Sequence, residues 1–345
     1  MPILLENVVY TYMKKTPLVH EALRGVSLEI NDHEFVGLIG RTGSGKSTLI
    51  QHFNGLLKPD SGGVSVDGIS TTSGSLRELR RKVGLVFQFP EYQLFEETVF
   101  KDIAYGISKR GYGSDEISQR VLKAAGAVGI GEVLMQRSPF ELSGGQRRRV
   151  AIAGVLIMEP KYLVMDEPGS GLDPEGRDEI FSYVQRLHED SGVCVILVSH
   201  NMEDVARLAR RVIVIEDGLI IMDGPPQDIF TRIEDLERAG LRAPETQYLL
   251  RRLKAIVPEI DERLMTTTQV ADELERLLLE AGERRTEAGD GQSYNTGSEG
   301  EQPYANADCS DGELPFASVD CSGGELPYAH DAGEQIIGKG GALSA

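Results

Sequence analysis

The stretch that most constrains the fold is residues 40–48, which read Gly-Arg-Thr-Gly-Ser-Gly-Lys-Ser-Thr. A short apolar segment, residues 34–39, precedes it and is typical of a buried strand, whereas residues 48–53 fit the first turns of a helix. A strand, a glycine-rich loop, a Lys-Ser pair and a helix, in this order, form the context that a phosphate-binding loop requires. The chain is therefore predicted to bind a nucleoside triphosphate on an α/β fold.

The chemistry of a triphosphate gives the residues of this loop their roles. The glycines let the backbone wrap around the phosphates, so that successive N–H groups and the helix N-terminus face the negative charge. We expect Lys46 to reach the β- and γ-phosphates and the Ser47 hydroxyl to complete the shell of Mg²⁺. The alternative is a glycine-rich turn without a ligand, and the Lys-Ser pair and the preceding strand weigh against it. The loop residues predicted to hold the nucleotide are Gly40, Arg41, Thr42, Gly43, Ser44, Gly45, Lys46, Ser47 and Thr48.

The negative charge of the chain is concentrated in its last part. The 345 residues carry a net charge of −18, and residues 286–345 contribute eleven acidic residues against one lysine. Nucleic acid is not expected as a main partner, because phosphate backbones need stripes of Lys and Arg. The three cysteines, Cys194, Cys309 and Cys321, have no metal-type spacing and form no disulfide framework, which fits a reducing cytoplasm.

The sequence shows neither a signal peptide at its start nor an apolar run near the ~18 residues that cross a bilayer. If this protein works at a membrane, another subunit is expected to hold it there.

Short apolar strands alternate with helical segments over residues 1–233, which predicts a mostly parallel sheet covered on both faces. Between residues 89 and 141 the pattern changes, and no convincing strand occurs there. Residues 98–107 and 116–125 are predicted to be helices of an inserted helical subdomain.

The predicted strands stop after about residue 233, and residues 234–285 form a small helical region. Two helix faces are indicated by apolar spacing, the second behind a group of threonines suited to cap it. The first face comprises Leu249, Leu253, Ile256 and Ile260, and the second comprises Val270, Leu274 and Leu277. The region is too short to fold well alone, so we expect it to pack on the main domain or on a partner.

Residues 286–345 are rich in Gly, Ser, Glu and Asp and contain a short repeat. The repeat is marked by Pro303-Tyr304-Ala305, Pro315-Phe316-Ala317 and Pro327-Tyr328-Ala329. So few apolar residues cannot build a packed core, and disorder is the expected state. The segment is either a solvating tail or a docking tail that uses an aromatic residue after each proline.

Polar side chains follow three predicted strands: Asp166 and Glu167 end one, Gln88 ends a second and His200 follows a third. Phosphoryl transfer needs a carboxylate that holds Mg²⁺ and a second group that orients or deprotonates the attacking water. We assign Asp166 to the metal and Glu167 to the water. Gln88 is expected to sense Mg²⁺ or the water, and His200 to contact the γ-phosphate, because ligands bind at strand ends in open α/β sheets. The alternatives are a surface acidic pair and a structural histidine.

Residues 142–146, Leu-Ser-Gly-Gly-Gln, have two interpretations. Ser143 and Gln146 have the spacing of a capping box, which needs no ligand. Gly144 and Gly145 would expose backbone N–H groups at a helix start, which is a second anion site. One chain then holds two phosphate-recognising elements, and two copies arranged head to tail would complete each other.

This combination resembles the ATP-binding cassette (ABC) family. The shared motifs occur in the family's order: the phosphate loop, Gln88, Leu142-Ser143-Gly144-Gly145-Gln146, Asp166-Glu167, Ser170-Gly171-Leu172-Asp173 and His200. The resemblance covers about residues 3–230. It implies an α/β P-loop NTPase cassette with a RecA-like core, an N-terminal antiparallel β subdomain and an inserted helical subdomain. It also implies a head-to-tail dimer that holds ATP between the phosphate loop of one cassette and the Ser143 to Gln146 signature of the other.

The same resemblance assigns Tyr12 to stacking on adenine, with Tyr10 as the alternative, and Asp173 to the loop that couples the two sites. ATP and Mg²⁺ are the implied cofactors. One departure is Gly169-Ser170, where the family often has Thr and a small residue, but both carboxylates remain.

Within the family the resemblance narrows. Residues 87–95, Phe-Gln-Phe-Pro-Glu-Tyr-Gln-Leu-Phe, look like the Gln-loop of energy-coupling factor (ECF) transporter ATPases, which drive uptake of vitamins or of cobalt and nickel ions. Residues 146–154 and 172–177 look closest to the second of the two ATPase subunits. The helical region is similar, more weakly, to that group's C-terminal dimerisation region.

This narrower resemblance implies three partners: a second ABC ATPase subunit, a transmembrane coupling subunit and a substrate-binding membrane subunit. It places the chain peripherally on the cytoplasmic face of the cell membrane. The rivals are the ATPase of another ABC transporter class, a soluble cassette protein of translation or DNA repair, and a nucleotide-gated docking protein that acts through its acidic tail. Tandem cassettes or a long coiled-coil insertion would indicate the soluble class, and neither is present in the sequence.

Overall fold

The computed structural model describes residues 2–289, with side chains described up to residue 281. The predicted disordered tail, residues 286–345, therefore lies outside the described residues beyond position 289. In chain order the strands are β1 (Ile3–Tyr12), β2 (His20–Ile30), β3 (Phe35–Ile39), β4 (Ser61–Val66), β5 (Ile69–Ser70), β6 (Val83–Val86), β7 (Tyr162–Asp166), β8 (Cys194–Val198), β9 (Arg211–Glu216) and β10 (Leu219–Gly224). The helices are α1 (Lys46–Phe53), α2 (Leu76–Lys82), α3 (Val99–Ala104), α4 (Ser114–Ala127), α5 (Gly144–Leu156), α6 (Pro174–Ser191), α7 (Met202–Leu208), α8 (Pro226–Phe230), α9 (Ile233–Arg238), α10 (Glu245–Lys254) and α11 (Thr267–Gly289).

A six-stranded sheet in the order β10-β9-β3-β8-β7-β6 forms the centre of the chain. Five of its strands run parallel, and β10 pairs with β9 antiparallel at one edge. Alternate residues of β3 belong to two different hydrophobic cores, one on each face of the sheet. Val36 and Leu38 lie in one core, and Phe35 and Ile39 lie in the other. The prediction of a mostly parallel sheet covered on both faces is confirmed, and the carboxyl ends of its parallel strands meet at one edge.

A second, antiparallel sheet in the order β2-β1-β4-β5 packs against one face of the central sheet, with α1 in the shared core. The register of β1 and β2 places Tyr12 opposite His20. The hydroxyl oxygens of Tyr12 and Thr48 lie 3.2 Å apart, so the end of β1 lies next to the start of α1.

The predicted helices between residues 89 and 141 are present as α3 and α4, which pack on each other and on α5. The side chain of Thr98 accepts a hydrogen bond from the Lys101 N–H and caps α3. The remaining regular structure in this segment consists of short 3₁₀ turns at Pro90–Gln93, Glu132–Leu134 and Pro139–Glu141.

The C-terminal helical region corrects one expectation. Ile256 and Ile260 do not belong to the helix of Leu249 and Leu253, because α10 ends at Lys254. Pro258 disfavours helical backbone in the residue before it, so the chain turns away. The side chain of Ile256 is 78% exposed. Ile260 is nevertheless buried.

The face predicted for α10 is also only partly buried, because the Leu249 side chain is 44% exposed. The predicted cap of α11 is present. The hydroxyl of Thr266 accepts a hydrogen bond from the Gln269 N–H and caps α11, as predicted from the threonines. The four buried apolar residues that join α10 and α11 are Leu250, Ile260, Val270 and Leu277. Among residues 2–289, no helix is long and apolar enough to cross a membrane.

Candidate active site

The loop between β3 and α1 has backbone geometry that only glycine adopts readily. Gly43 and Gly45 have φ angles of +83° and +108°, in the left-handed region that disfavours side chains. A Cβ at Gly45 would stand 2.6 Å from the carbonyl oxygen of Ala22. The glycines therefore let the loop close tightly at the start of α1, which is the shape predicted for phosphate binding.

Lys46, the first residue of α1, lies over this loop. Its ammonium donates hydrogen bonds to the carbonyl oxygens of Gly40 (2.6 Å) and Arg41 (2.9 Å). Burial lowers the pKa of Lys46, while the nearby carboxylates Glu167 and Asp166 act in the opposite direction. A partly desolvated cation at a helix N-terminus attracts phosphate oxygens.

Ser47 and Asp166 are 119 positions apart in the sequence, and the Ser47 hydroxyl donates a 3.0 Å hydrogen bond to Oδ2 of Asp166. Asp166 is the last residue of β7, and its burial raises its pKa. A hydroxyl and a carboxylate oxygen, with the side-chain amide of Gln88 lining the same cavity, are oxygen donors of the kind that Mg²⁺ prefers. The donor set fits the predicted metal.

Glu167 is a non-glycine residue in the left-handed region, with φ of +52°. Its N–H donates to the carbonyl oxygen of Val198 at 2.9 Å, which ties the end of β7 to β8. Its Oε2 lies 2.7 Å from Nδ1 of His200. The left-handed conformation costs about 1–2 kcal/mol for an L-residue, and Glu167, the carboxylate assigned to the attacking water, adopts it. The same carboxylate contacts His200, which is assigned to the γ-phosphate.

A cavity of about 330 Å³ is lined by Lys46, Ser47, Gln88, Asp166 and Glu167. The predicted site residues Gly40, Arg41, Ser44 and His200 are not among its described lining residues. Its lining residues that the sequence had predicted are Tyr12, Thr42, Gly43, Gly45, Lys46, Ser47, Thr48, Gln88, Asp166 and Glu167. Two further lining residues, His20 and Ala22, were not predicted. The pairing of His20 with Tyr12 could have been found only from the strand register, which the sequence pattern does not specify.

The signature residues are not among the described residues that line this cavity. Ser143 and Gln146 form the predicted capping box: the Gln146 N–H donates to the Ser143 hydroxyl, and the Ser143 N–H donates to the Gln146 side chain. Gly144 and Gly145 begin α5. Asp173 precedes α6 as its N-cap residue and also lies outside the cavity lining. The two elements predicted to recognise phosphate are separate within one chain.

Arg148 is a buried residue next to the site that sequence reasoning missed. It lies on α5, its side chain is 3% exposed, and it donates to the carbonyl oxygens of Gln88 (2.8 Å), Pro168 (3.1 Å) and Glu167. One guanidinium therefore links the signature helix to the loops that carry Gln88 and Glu167. An arginine among apolar positions of a helix was the only available signal, and it does not identify the carbonyls.

Proteins of known family are similar to this chain in sequence and in fold. A family model described as ABC transporter matches residues 23–170. The energy-coupling factor transporter ATP-binding protein EcfA2 of Acetivibrio thermocellus is 51% identical over 281 residues, which cover 81% of this chain and 100% of that protein. The chain belongs to the ATP-binding proteins of energy-coupling factor transporters, within the ABC family. It is an ABC ATPase and binds ATP, and the recognition made from the sequence is confirmed.

Further comparisons agree with this family. The EcfA2 protein of Clostridium tetani is 51% identical over 281 residues, covering 81% of this ATPase and 98% of that protein. The solved structure of cbiO1 from Clostridium perfringens, part of the ABC transporter complex cbiONQ, matches with a TM-score of 0.60 and 37% identity, covering 72% of this chain and 98% of its own. The ATP-binding cassette MJ0796, as a dimer in a post-hydrolysis state bound to ADP and Pi, matches with a TM-score of 0.60 and 30% identity over 65% of this chain and 98% of its own. The predicted cassette fold is confirmed.

Proposed function

We propose that this ATPase powers an ECF-type importer from the cytoplasmic face of the cell membrane and drives uptake of a vitamin or a transition-metal ion. It would pair with a second cassette, identical or a sibling, and bind a transmembrane coupling subunit that works with a substrate-binding membrane subunit. ATP binding closes the cassette pair and hydrolysis reopens it, because contact with the γ-phosphate favours the closed state.

The roles of the site residues follow from their positions. Ser47, Asp166 and Gln88 would hold Mg²⁺, which neutralises developing charge on the phosphates. Glu167 would orient or deprotonate the attacking water, with His200 directing its carboxylate and reaching the γ-phosphate. Lys46 would balance the phosphate charge from inside the loop, and Tyr12, at the cavity wall, would stack on adenine.

The glycines of the signature support a head-to-tail pair. A Cβ at Gly144 would meet no atom within 4 Å, and a Cβ at Gly145 would meet only the Leu172 side chain at 3.7 Å. Glycine in a helix costs about 0.5–1 kcal/mol relative to alanine, and nothing in the described part of this chain requires it here. Close approach of a group from outside, such as the phosphates held by a facing cassette, explains both positions.

The observation that carries the proposed transport role is an aromatic surface beside Gln88. We call Phe89, Tyr92 and Phe95 the aromatic patch: their side chains are 48%, 83% and 59% exposed, and Phe95 packs edge-on against Tyr105. The rings of Phe89 and Tyr92 lie next to each other, with centroids 6.0 Å apart, and large exposed aromatic side chains that lie together mark interaction sites. Because Gln88 lines the nucleotide cavity and the aromatic patch follows it directly, a partner bound at this patch would sense the state of the site.

The experiment is affinity purification of the full chain from its native membrane, with identification of the proteins that accompany it. The proposal expects a second cassette and a small substrate-binding membrane protein. Tyr92→Ser should remove the membrane partners, whereas Val133→Ser, which changes an equally exposed side chain outside the patch, should keep them. Recovery of a different class of transport subunit, or retention of the membrane partners by Tyr92→Ser, would overturn the proposal.

A further inference from the structure

A buried histidine behind the phosphate loop has no role in the proposed function. His52 lies on α1, with its side chain fully buried. Its Nδ1 lies 2.7 Å from the carbonyl oxygen of Thr48 and donates to it, because a carbonyl only accepts. Among the described residues its Nε2 has no hydrogen-bond partner. A buried polar atom without a partner costs about 1–3 kcal/mol, so histidine is an unfavourable choice for filling this space alone.

The neighbours of His52 form a closed ring of contacts between two elements. The His52 ring meets Tyr10 edge-on with centroids 5.1 Å apart, and Tyr10 meets Tyr12 edge-on at 4.8 Å. The hydroxyl oxygens of Tyr12 and Thr48 lie 3.2 Å apart. These contacts form a closed circuit: Tyr12 contacts Thr48, α1 connects Thr48 to His52, and His52 contacts Tyr10, which in turn contacts Tyr12. Two residues of one strand face meet two residues of one helix face.

The two elements that this ring joins belong to different layers. Strand β1 is part of the antiparallel sheet, whereas α1 follows the central strand β3 and carries the phosphate loop. Tyr12 and Thr48 both line the nucleotide cavity. A bound ATP contacts both elements, so its affinity depends on how well their separation is set before binding.

We propose that His52 is a positioning residue that holds the adenine-facing ring of Tyr12 at a set distance from the phosphate loop. This inference rests on the proposed role of Tyr12. His52 supplies two contacts from one small ring: a ring edge against Tyr10 and an N–H donor to the Thr48 carbonyl. Phenylalanine would keep the first contact and lose the second, and glutamine would do the reverse.

The test compares two probes, ATP and inorganic triphosphate, each with Mg²⁺, by calorimetric titration of the full chain. The aromatic contact that His52→Gln removes and the hydrogen bond that His52→Phe removes each contribute about 0.5–1.5 kcal/mol, and 1.4 kcal/mol is tenfold in affinity. His52→Phe and His52→Gln should each weaken ATP binding by about 3–10-fold. The affinity for triphosphate, which has no base to stack, should change by less than about twofold.

A matched control exists in the same chain. Nδ1 of His188 lies 2.9 Å from the Val193 carbonyl oxygen, and its ring meets Phe35 edge-on at 5.4 Å. His188 lies near the amino end of β8 and does not line the nucleotide cavity. His188→Phe should leave the affinities for both probes unchanged. If His52→Phe fails to fold, Tyr10→Leu breaks the same ring from the other side and should show the same selective loss for ATP.

The outcomes separate this inference from the proposed function. Equal weakening of ATP and triphosphate, or no weakening of ATP in a folded His52 variant while Tyr12→Ala weakens it, overturns the positioning role alone. An unchanged ATP affinity in Tyr12→Ala overturns the adenine role of Tyr12 and the positioning role of His52 with it.

Discussion

Strand β7 has a charged cluster at each end, and the two clusters differ in how their charges are balanced. At its amino end, Lys161 donates to Asp32 (2.9 Å) and Asp67 (2.7 Å). The Tyr162 hydroxyl shares its one proton between the same two carboxylates, at 2.6 Å from Asp32 and 3.0 Å from Asp67. At its carboxyl end, Asp166 accepts a hydrogen bond from the hydroxyl of Ser47, which carries no charge.

The pKa shifts record this difference. Burial would raise the pKa of Asp32, but hydrogen bonds from Tyr162 and Lys161 outweigh it and lower the pKa to about 2. Burial raises the pKa of Asp166, and the Ser47 hydroxyl does not reverse the direction. At the amino end of β7 the negative charges of Asp32 and Asp67 are balanced by Lys161, and this balance stabilises the folded chain. The carboxyl end keeps charges that a phosphate and a divalent cation would balance, which is typical of functional sites.

The largest effect is expected from Glu167→Gln at the carboxyl end. With the role proposed for Glu167 in orienting or deprotonating the attacking water, this change should lower the ATPase rate by about 10²–10⁴-fold. ATP affinity and the thermal unfolding midpoint should stay close to those of the unchanged chain. Steady-state hydrolysis, nucleotide titration and calorimetry measure the three quantities, and near-normal hydrolysis would contradict the role of Glu167.

Arg148→Met tests a guanidinium that donates hydrogen bonds to three carbonyl oxygens at the carboxyl end of β7. Its three acceptor carbonyls would lose their donor, and displacement of Glu167 should lower kcat by about 10²-fold with a smaller change in KM. Arg148→Lys keeps the charge but not the planar fork of donors, so it should restore only part of kcat. Equal kcat values for the three proteins would show that Arg148 only fills space.

Gly145→Asp tests whether the signature of one chain meets the nucleotide cavity of a second chain. Because a side chain at this position meets little of its own chain, the variant should fold and bind ATP as a monomer. Its charge would oppose the phosphates of a facing cassette, so ATP should no longer drive dimer formation in size-exclusion chromatography with light scattering. A variant that still dimerises with ATP would contradict the head-to-tail arrangement.

Lys161→Met tests the amino end and should show the opposite pattern to Glu167→Gln. Two carboxylates would lose a charged donor, which should lower the free energy of unfolding by about 1–2 kcal/mol after allowance for solvent exposure. The ATPase rate per folded molecule should not change. Urea unfolding and hydrolysis assays separate the two quantities, and a fall in kcat at unchanged stability would break the comparison.

The smallest effect is the pH dependence of that same stability difference. Since Asp32 and Asp67 have lowered pKa values in the folded chain, their contribution is present above the unfolded pKa of about 3.9 and is lost as the pH falls through the folded values. The gap in unfolding free energy between the unchanged chain and Lys161→Met should therefore narrow as the pH falls from about 4 to about 2. A gap that stays constant would show that the pairs do not set the lowered pKa values.

Local patterns predicted much of this fold, because they report short-range constraints. The glycine spacing of the phosphate loop requires left-handed backbone at Gly43 and Gly45, and the Ser143 and Gln146 spacing is a capping box that the structure contains. The helix face drawn through Ile256 and Ile260 was wrong because Pro258 ends the helical path before apolar spacing does. Periodicity alone does not distinguish a buried residue of a helix from one of the turn after it.

The sequence by itself determined the chemistry: a phosphate loop, two carboxylates after a buried strand and a glycine-containing helix start, since each depends on residue type and backbone within a few positions. Only the tertiary structure decided which of these meet. Ser47 reaches Asp166 because parallel strands bring their carboxyl ends to one edge of the sheet. The signature residues at the start of α5 do not line the cavity, although Arg148 of the same helix reaches the loops at that edge. The contacts of Arg148 and His52 depend on packing between distant segments, which residue spacing does not encode.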